Sequence, residues 1–239
     1  MALTLALRNQ LRKRAAKEAA ATAPAASMAG ANSYELQLAQ LLQDRLRIKN
    51  VHSNEGKAEL KRQLLPAYEP YIQGVLAAGQ GAQDEVLTTV MVWRLDAGDY
   101  AGALEIAAYV IQHNLGMPDR FARTSPCLVA EEIAEAALKA LKAGGEFPLD
   151  VLERAHQLTA EQDMPDEARA KLHLAIGKAY GLLVDEKEPK EQDPIHLQAA
   201  QAHLARAIEL HDKCGAKKDL DRVHRLLKRH AEPATPPAS

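Results

Sequence analysis

Four acidic residues, Asp84, Glu85, Asp96 and Asp99, form a group of side chains that could carry out chemistry, and its three aspartates are the candidate catalytic residues. Asp84, Asp96 and Asp99 fall within sixteen residues of the chain. A metal-dependent nuclease needs several carboxylates that converge on one or two Mg²⁺ ions. Acidic residues near helix starts also stabilise helices without any catalytic role. Two interpretations stay open: an endonuclease with these three catalytic residues and Mg²⁺, or structural aspartates in a protein with no catalytic residue and no cofactor.

Signatures of other reaction classes are absent from the sequence. It contains neither G-x-x-x-x-G-K-[ST] nor G-x-G-x-x-G, so no loop is typical of nucleotide-phosphate binding. It has no H-E-x-x-H, no Cys/His cluster at zinc spacing, and no G-x-S-x-G. A second acidic group, Glu131, Glu132 and Glu135, lies on a predicted helix, where solvation is the usual role. Any ATP hydrolysis would belong to another chain.

Charge is unevenly distributed along the chain. Residues 1–62 carry a net +6, residues 63–210 a net −11 and residues 211–239 a net +3, although the whole chain sums to −2. Basic ends around an acidic middle indicate either an anionic partner such as nucleic acid or tails that merely solubilise. Lysine and arginine neutralise phosphates and release counterions, which gives affinity without base information. The predicted DNA-binding residues are Arg8, Arg12, Lys13, Arg14, Lys17, Lys57, Lys61 and Arg62.

A last basic helix is predicted over KKDLDRVHRLLKRH. Its six lysines and arginines form either a solvated helix face or a further contact with phosphates. The sequence favours neither interpretation over the other.

The chain is predicted to be all-α. Aromatic residues make up 4% of it, Ala and Leu fill most apolar positions, and no alternating Val/Ile/Thr run indicates a strand. We expect residues 1–32 to form a flexible basic arm and linker, because AAATAPAASMAGAN has little to bury. Residues 33–70 are predicted to be a helical DNA-binding and oligomerisation region that ends at a break bracketed by Pro66 and Pro70. Residues 71–230 are predicted to form helical hairpins, and residues 231–239 a disordered Pro-rich tail.

Two segments resemble halves of a helix hairpin of the tetratricopeptide type. The matching positions are His173, Ile176, Gly177 and Tyr180 on a first helix and Ala200, Leu204 and Ala207 on a second. The pairing requires that EKEPKEQDP enlarge the turn between the two helices. GDYAGALEIAAYV resembles the turn and second helix of another hairpin. Two degenerate hairpins do not make a regular solenoid, so we interpret these residues as core packing rather than as a peptide-binding groove.

The expected compartment is a reducing cytoplasm. No apolar run approaches the length of about eighteen residues that a membrane span requires. The start, MALTLALRNQLRKRAAK, places apolar residues before basic ones, which is the reverse of a secretory signal. The two cysteines form no C-x-x-C pair, so no disulfide framework is predicted. Because no long apolar run is present, no membrane partner is expected.

Five motifs, taken in order, carry a resemblance to a known family. They are LKRQLLP, GAQD, VMVWRLDAGDYAGALEIA, MPDRFART and DMPDEARAKLH. Together with the residues between them they resemble the small terminase subunit of temperate contractile-tailed phages and prophages, over about residues 34–225. The N-terminal arm and the Pro-rich tail are less similar to that family.

The resemblance implies a role in packaging double-stranded phage DNA in the host bacterial cytoplasm. It implies recognition of the cohesive-end site on concatemeric DNA, recruitment of the large ATPase-nuclease subunit and direction of cutting. The family is commonly labelled an endonuclease subunit, although the residues themselves indicate no nuclease centre. The resemblance also implies a homo-oligomeric ring, in which many copies of a weak basic arm would add up to firm binding.

Overall fold

The structure is a computed structural model, and it describes residues 4–24, 26–118, 122–188 and 190–231. Ten α-helices occupy this described part of the chain. Their bounds are α1 Leu5–Ala21, α2 Asn32–Lys49, α3 Asn54–Ala78, α4 Glu85–Ala97, α5 Tyr100–Gln112, α6 Ser125–Lys142, α7 Leu149–Thr159, α8 Asp166–Leu182, α9 Asp193–Leu210 and α10 Lys217–Ala231.

The all-α prediction is confirmed for the residues that the structure describes. Extended pairing there is limited to one isolated bridge between Ser27 and Gln83. None of the described helices combines the length and the apolar character that crossing a bilayer requires. The predicted Pro-rich tail, apart from Ala231 at the end of α10, lies outside the described residues.

The chain divides into two compact units, residues 1–129 and 130–239. Pro66 and Pro70, which were expected to bracket a break, both lie inside the continuous helix α3. Proline in a helix interior removes a backbone hydrogen bond and costs about 3 kcal/mol. Tyr68, Tyr71 and Ile72 are almost fully buried on either side of Pro70. Burial of these large side chains offsets that cost and keeps α3 unbroken.

The N-terminal segment forms a docked helix rather than the arm and linker expected from its composition. Ala15 and Ala19 of α1 are buried, and α1 packs along α3. A Cβ atom at Gly74 of α3 would lie 2.5 Å from the carbonyl oxygen of Arg12 and 2.7 Å from the Cβ of Ala15. The two helices approach this closely only because position 74 has no side chain. Alanine, the best helix former, gives α1 its helicity.

The segment after α1 is fixed by backbone hydrogen bonds to the turn that precedes α4. The N–H of Met28 donates to the carbonyl of Gln83 at 3.2 Å, and the N–H of Gln83 donates to the carbonyl of Ala26 at 2.8 Å. The Met28 side chain is fully buried. These contacts connect the start of the chain to the core formed by α3, α4 and α5.

The second unit is built around the α8–α9 hairpin. A Cβ atom at Gly177 of α8 would lie 2.6 Å from the Cγ of Leu204 on α9, so these helices also approach closely at a glycine. Ala200, Leu204 and Ala207 are fully buried. Residues 183–192 separate the two helices, which is where the sequence required an enlarged turn. Helix α10 closes the same core through Val223 and Leu226.

The α1–α3 contact yields a testable prediction. Gly74→Ala should destabilise the protein by about 1–3 kcal/mol, because the added methyl group overpacks the crossing of α1 and α3. It should also make the arginines and lysines of α1 more accessible to trypsin. Urea unfolding and limited proteolysis measure the two effects.

Gly181→Ala in α8 is the matched control. The atom nearest to a Cβ there is the Nη1 of Arg222, at 3.8 Å, so the methyl group fits. This variant should be unchanged or more stable by about 1 kcal/mol, because alanine favours the helix more than glycine does. Equal behaviour of the two variants would contradict the close approach at Gly74.

Candidate nucleic-acid interface

Helix α1 presents the first group of predicted DNA-binding residues to solvent. Arg8, Arg12, Lys13, Arg14 and Lys17 are all exposed, and the described residues show no ion pair for any of them. The helix begins at Thr4, whose hydroxyl accepts from the N–H of Leu7 at 3.4 Å. Over its 17 residues it extends for about 25 Å. These five exposed cations are distributed around much of the circumference of the helix and are suited to contact with phosphates; they are called the α1 cations below.

The acidic residue of α1 does not neutralise this surface. Glu18 is half-buried, and its carboxylate accepts from the N–H of Ser33 at 2.8 Å, which ties the end of α1 to the start of α2. Since the carboxylate serves a backbone contact, the α1 cations keep their charge available for an external partner.

The second predicted group, on α3, is placed differently. Lys61 has only 12% of its side chain exposed and forms an ion pair with Asp96 of α4. Arg62 forms an ion pair with Glu59, and its Nε–H donates to the carbonyl of Ala97 at 3.1 Å. Lys57 is half-buried near the start of α3. The structure therefore assigns Lys61 and Arg62 to contacts between α3 and α4, and it does not join this group to the α1 cations by any direct contact.

Asp84, the first of the three candidate catalytic aspartates, is completely buried. It is the N-cap of α4: one carboxylate oxygen accepts from the N–H of Leu87 at 2.9 Å, and the other accepts from the hydroxyl of Tyr71 at 2.5 Å. Burial raises the pKa of Asp84 to about 6, although both hydrogen bonds favour its charged form. With both oxygens engaged and no solvent access, Asp84 holds α3 against the start of α4.

Asp96 and Asp99 also have structural partners. Asp96 is paired with Lys61. Asp99 is the N-cap of α5, where it accepts from the N–H of Gly102 at 3.1 Å and from the guanidinium of Arg94 at 2.6 Å. Arg94 also forms an ion pair with Glu69 of α3. Asp84 and Asp96 therefore stabilise the contact between α3 and α4, and Asp99 stabilises the turn between α4 and α5.

The glutamates of α6 are arranged in a similar way. The Nζ of Lys171 lies 2.6 Å from a carboxylate oxygen of Glu135 and 3.7 Å from one of Glu131, and Glu132 is half-buried on the same helix. Within the described ranges, no three His, Cys, Asp or Glu side chains are grouped so that they could hold a metal ion.

A histidine cluster joins α7, α8 and α9, and the sequence analysis did not identify it. The ring centroids of His156, His173 and His203 lie 4.9–5.4 Å apart, and the two Nδ1 atoms of His173 and His203 lie 2.9 Å apart. Burial lowers the pKa of His173 to about 3 and that of His203 to about 4, and neighbouring histidine rings lower both pKa values further. Burial also lowers the pKa of His156. The cluster is therefore neutral near pH 7 and adds no positive charge to the second unit.

No sequence signal could have identified this cluster. Its three members are separated by 17 and 30 residues, on three different helices. Only His173 was noted, as one position of the hairpin pattern.

Comparison with known proteins gives one family and two curated relatives. Residues 38–167 match the model of the phage small terminase subunit family. The chain is 44% identical to the "Terminase, endonuclease subunit" of Escherichia phage P2, over 87% of this chain and 80% of that protein. It is 25% identical to the "Probable terminase, endonuclease subunit" of Haemophilus phage HP1 (strain HP1c1), over 80% and 69%. No solved structure matches the chain.

The environment of Asp84 predicts how the candidate aspartates respond to mutation. Asp84→Ala should lower the free energy of unfolding by about 1–3 kcal/mol, because it removes the cap of α4 and leaves the buried Tyr71 hydroxyl unpaired. Asp96→Ala should cost about 1 kcal/mol or less, because its ion pair with Lys61 is partly exposed. Urea unfolding of both variants tests the difference. Full stability of Asp84→Ala would show that this buried contact is not structural.

Proposed function

This chain belongs to the phage small terminase subunit family and acts in phage DNA packaging, and we propose that it binds the cohesive-end site of concatemeric phage DNA. In this proposal it also recruits the large ATPase-nuclease subunit and directs where that subunit cuts. The work takes place in the host bacterial cytoplasm, where concatemeric DNA is located. The chain acts as a DNA-recognition adaptor and leaves ATP hydrolysis and strand cleavage to its partner.

The α1 cations are the single observation that carries this proposal. They are exposed, unpaired among the described residues and mounted on a helix that packs on the core through alanine and glycine. Contacts of this kind bind the phosphate backbone and position a protein on DNA without reading its sequence. Lys61 and Arg62 are left out of the proposed contact because their charges are already paired. Lys57 remains a secondary candidate.

A second candidate function is that of a Mg²⁺-dependent endonuclease in its own right. The printed names of both relatives favour it, since each is called an endonuclease subunit. Asp84, Asp96 and Asp99 would be its catalytic residues and Mg²⁺ its cofactor. Against it, each aspartate already serves a helix junction, and Asp84 has no access to solvent. A protein-only scaffold of tetratricopeptide-like hairpins, supported by the close approach of Gly177 and Leu204, is the third candidate.

We further propose that copies of the chain assemble into a ring through α2. Leu36, Leu42 and Leu46 are 50–63% exposed, and their spacing places them on one side of this helix. An exposed apolar stripe on one helix marks an interaction site in many proteins. A head-to-tail interface that closes on itself produces a ring, and a ring multiplies the α1 cations. In this proposal the large subunit contacts the region of residues 63–210, which has a net negative charge.

Salt-titrated DNA binding tests the adaptor function. With a cohesive-end duplex, the logarithm of the binding constant should fall linearly with the logarithm of salt concentration, at about 0.9 per phosphate neutralised. Replacing Arg12, Lys13 and Arg14 with alanine should make the slope shallower by about 0.9 for each phosphate that is no longer neutralised. The control replaces Lys139, Lys187 and Lys190, three exposed lysines elsewhere, and should keep the wild-type slope.

The same duplex distinguishes the other two candidates. Binding that is absent, or independent of salt, would support the protein-only scaffold. Cleavage by the isolated chain in the presence of Mg²⁺, abolished in Asp96→Ala and Asp99→Ala, would assign the nuclease to this chain.

Native mass measurement tests the assembly. The wild-type protein should form a closed oligomer, and the double variant Leu36→Lys/Leu46→Lys should be a monomer, because charge on the stripe cannot be buried between copies. Leu182→Lys/Ile195→Lys is the control, since these residues are 58% and 68% exposed in the second unit. Loss of assembly in the control but not in the α2 variant would place the interface elsewhere.

A further inference from the structure

Helix α10 carries a second cationic surface. At about 100° per residue, five of its cations fall within roughly 120° of the helix circumference. These five, named here the α10 face, are Lys217, Lys218, Arg225, Lys228 and Arg229. All are exposed, and none forms an ion pair with a described residue.

The hydrophobic core fixes the direction in which this face points. Val223 and Leu226 lie on the opposite side of α10 and are buried against Leu204 and Leu197 of α9. Arg222, at the edge of the face, is anchored: its Nε–H donates to Glu186 at 2.8 Å and its Nη1 donates to the carbonyl of Gly181 at 3.1 Å. The helix therefore cannot rotate its cations inward without removing apolar side chains from the core.

Stability of the helix does not explain the face. Cations favour the C-terminal end of a helix, where Lys228 and Arg229 lie, but they disfavour the N-terminal end, where Lys217 and Lys218 lie. Nearby acids neutralise only part of the face: the carboxylate of Glu186 interacts electrostatically with Arg225 and Arg229. Asp219 is paired with Lys178, 2.6 Å away, and Glu186 is paired with Arg222. Asp221 is the one acidic residue of α10 that lies among the five cations.

The composition of the face identifies the class of partner. Protein interfaces bury a centre of aromatic and aliphatic side chains from which lysine is depleted. Helix α10 has no exposed large apolar side chain. A surface of five lysines and arginines with one acid, Asp221, among them fits a row of phosphates. At 1.5 Å per residue it is about 18 Å long, which spans several phosphates of one strand.

We propose that the α10 face is a second binding site for the phosphate backbone of duplex DNA, separate from the α1 cations. This inference rests on the proposed DNA-binding function and adds a contact in the other compact unit of the chain. Residues 217–229 lie outside the segment that matches the family model, which ends at residue 167. Two contacts in one chain would retain DNA more firmly than either contact alone, because the second forms at high effective concentration.

A charge-matched pair of variants tests the proposal in the full-length chain. The face variant replaces Lys217, Lys218, Arg225, Lys228 and Arg229 with glutamine. The control variant replaces Lys139, Lys142, Lys187, Lys190 and Lys213, which are exposed lysines of the same unit, and changes the net charge equally. The face variant should bind a duplex at least tenfold more weakly at low salt, with a slope shallower by about 0.9 for each phosphate left without its cation. The control should stay within twofold of wild type.

Duplex binding by the variants distinguishes an error in the α10 proposal from an error in the proposed function. If the face variant and the control bind equally while the α1 variant is impaired, the α10 site is wrong and the proposed function stands. If the wild-type chain binds no duplex at all, both are overturned.

A second experiment uses the unmutated chain, so it does not depend on how the variants fold: lysines are acetylated chemically with and without duplex. Bound duplex should slow the acetylation of Lys217, Lys218 and Lys228 several-fold relative to that of Lys139 and Lys187. Equal labelling would overturn the proposal. Protection by poly-glutamate but not by duplex would assign the face to an acidic protein and would also overturn it.

Discussion

A buried carboxylate organises the first unit of this protein. Asp84 binds the hydroxyl of Tyr71 on α3 with one oxygen and caps α4 with the other, in a site without solvent. A charged group this deep is tolerable only when its hydrogen bonds are satisfied, so the position of α4 relative to α3 is narrowly determined. Two basic residues add ion pairs to this junction. Arg94 pairs with Glu69 of α3 and with Asp99 at the start of α5, and Lys61 of α3 pairs with Asp96 of α4. The surface that supports α1 depends on this junction.

Acids and bases have divided roles in the molecule. The acids that sequence alone suggested for catalysis serve as caps or in ion pairs, whereas the α1 cations and the five residues of the α10 face remain at the surface without an ion pair to any described residue. Sequence charge could predict an anionic partner, because net charge does not depend on folding. Sequence charge could not distinguish the paired Lys61 from the exposed Lys13, because only the folded structure shows that Lys61 contacts Asp96. In the GAQD and LDAGD stretches the glycines form left-handed turns, and Asp84 and Asp99 are helix caps. Asp96 is paired with Lys61, so each of these aspartates has a structural role.

The helical class of the fold followed from the sequence, since it depends on composition and local spacing. Helix α1 did not, because its docking depends on the absence of a side chain at Gly74, more than fifty residues away. The sequence also did not predict that α3 continues through Pro66 and Pro70. Burial of its large side chains outweighed the tendency of proline to break a helix. The histidine cluster requires three helices to be placed before its members meet.

The way α1 is attached has a consequence for the release of DNA under the proposed function. Helix α1 packs against α3 at Gly74 through alanine, glycine and backbone atoms, and the N–H of Ser33 donates a hydrogen bond to Glu18. Ions screen the attraction between its cations and phosphates but do not weaken apolar contacts, and some salts strengthen them. A rise in ionic strength would therefore free the nucleic acid and leave the helix in place, ready to engage again. Ionic strength weakens the contact between the cations and the phosphates but not the apolar packing of α1, so release of the nucleic acid does not require α1 to unfold and refold.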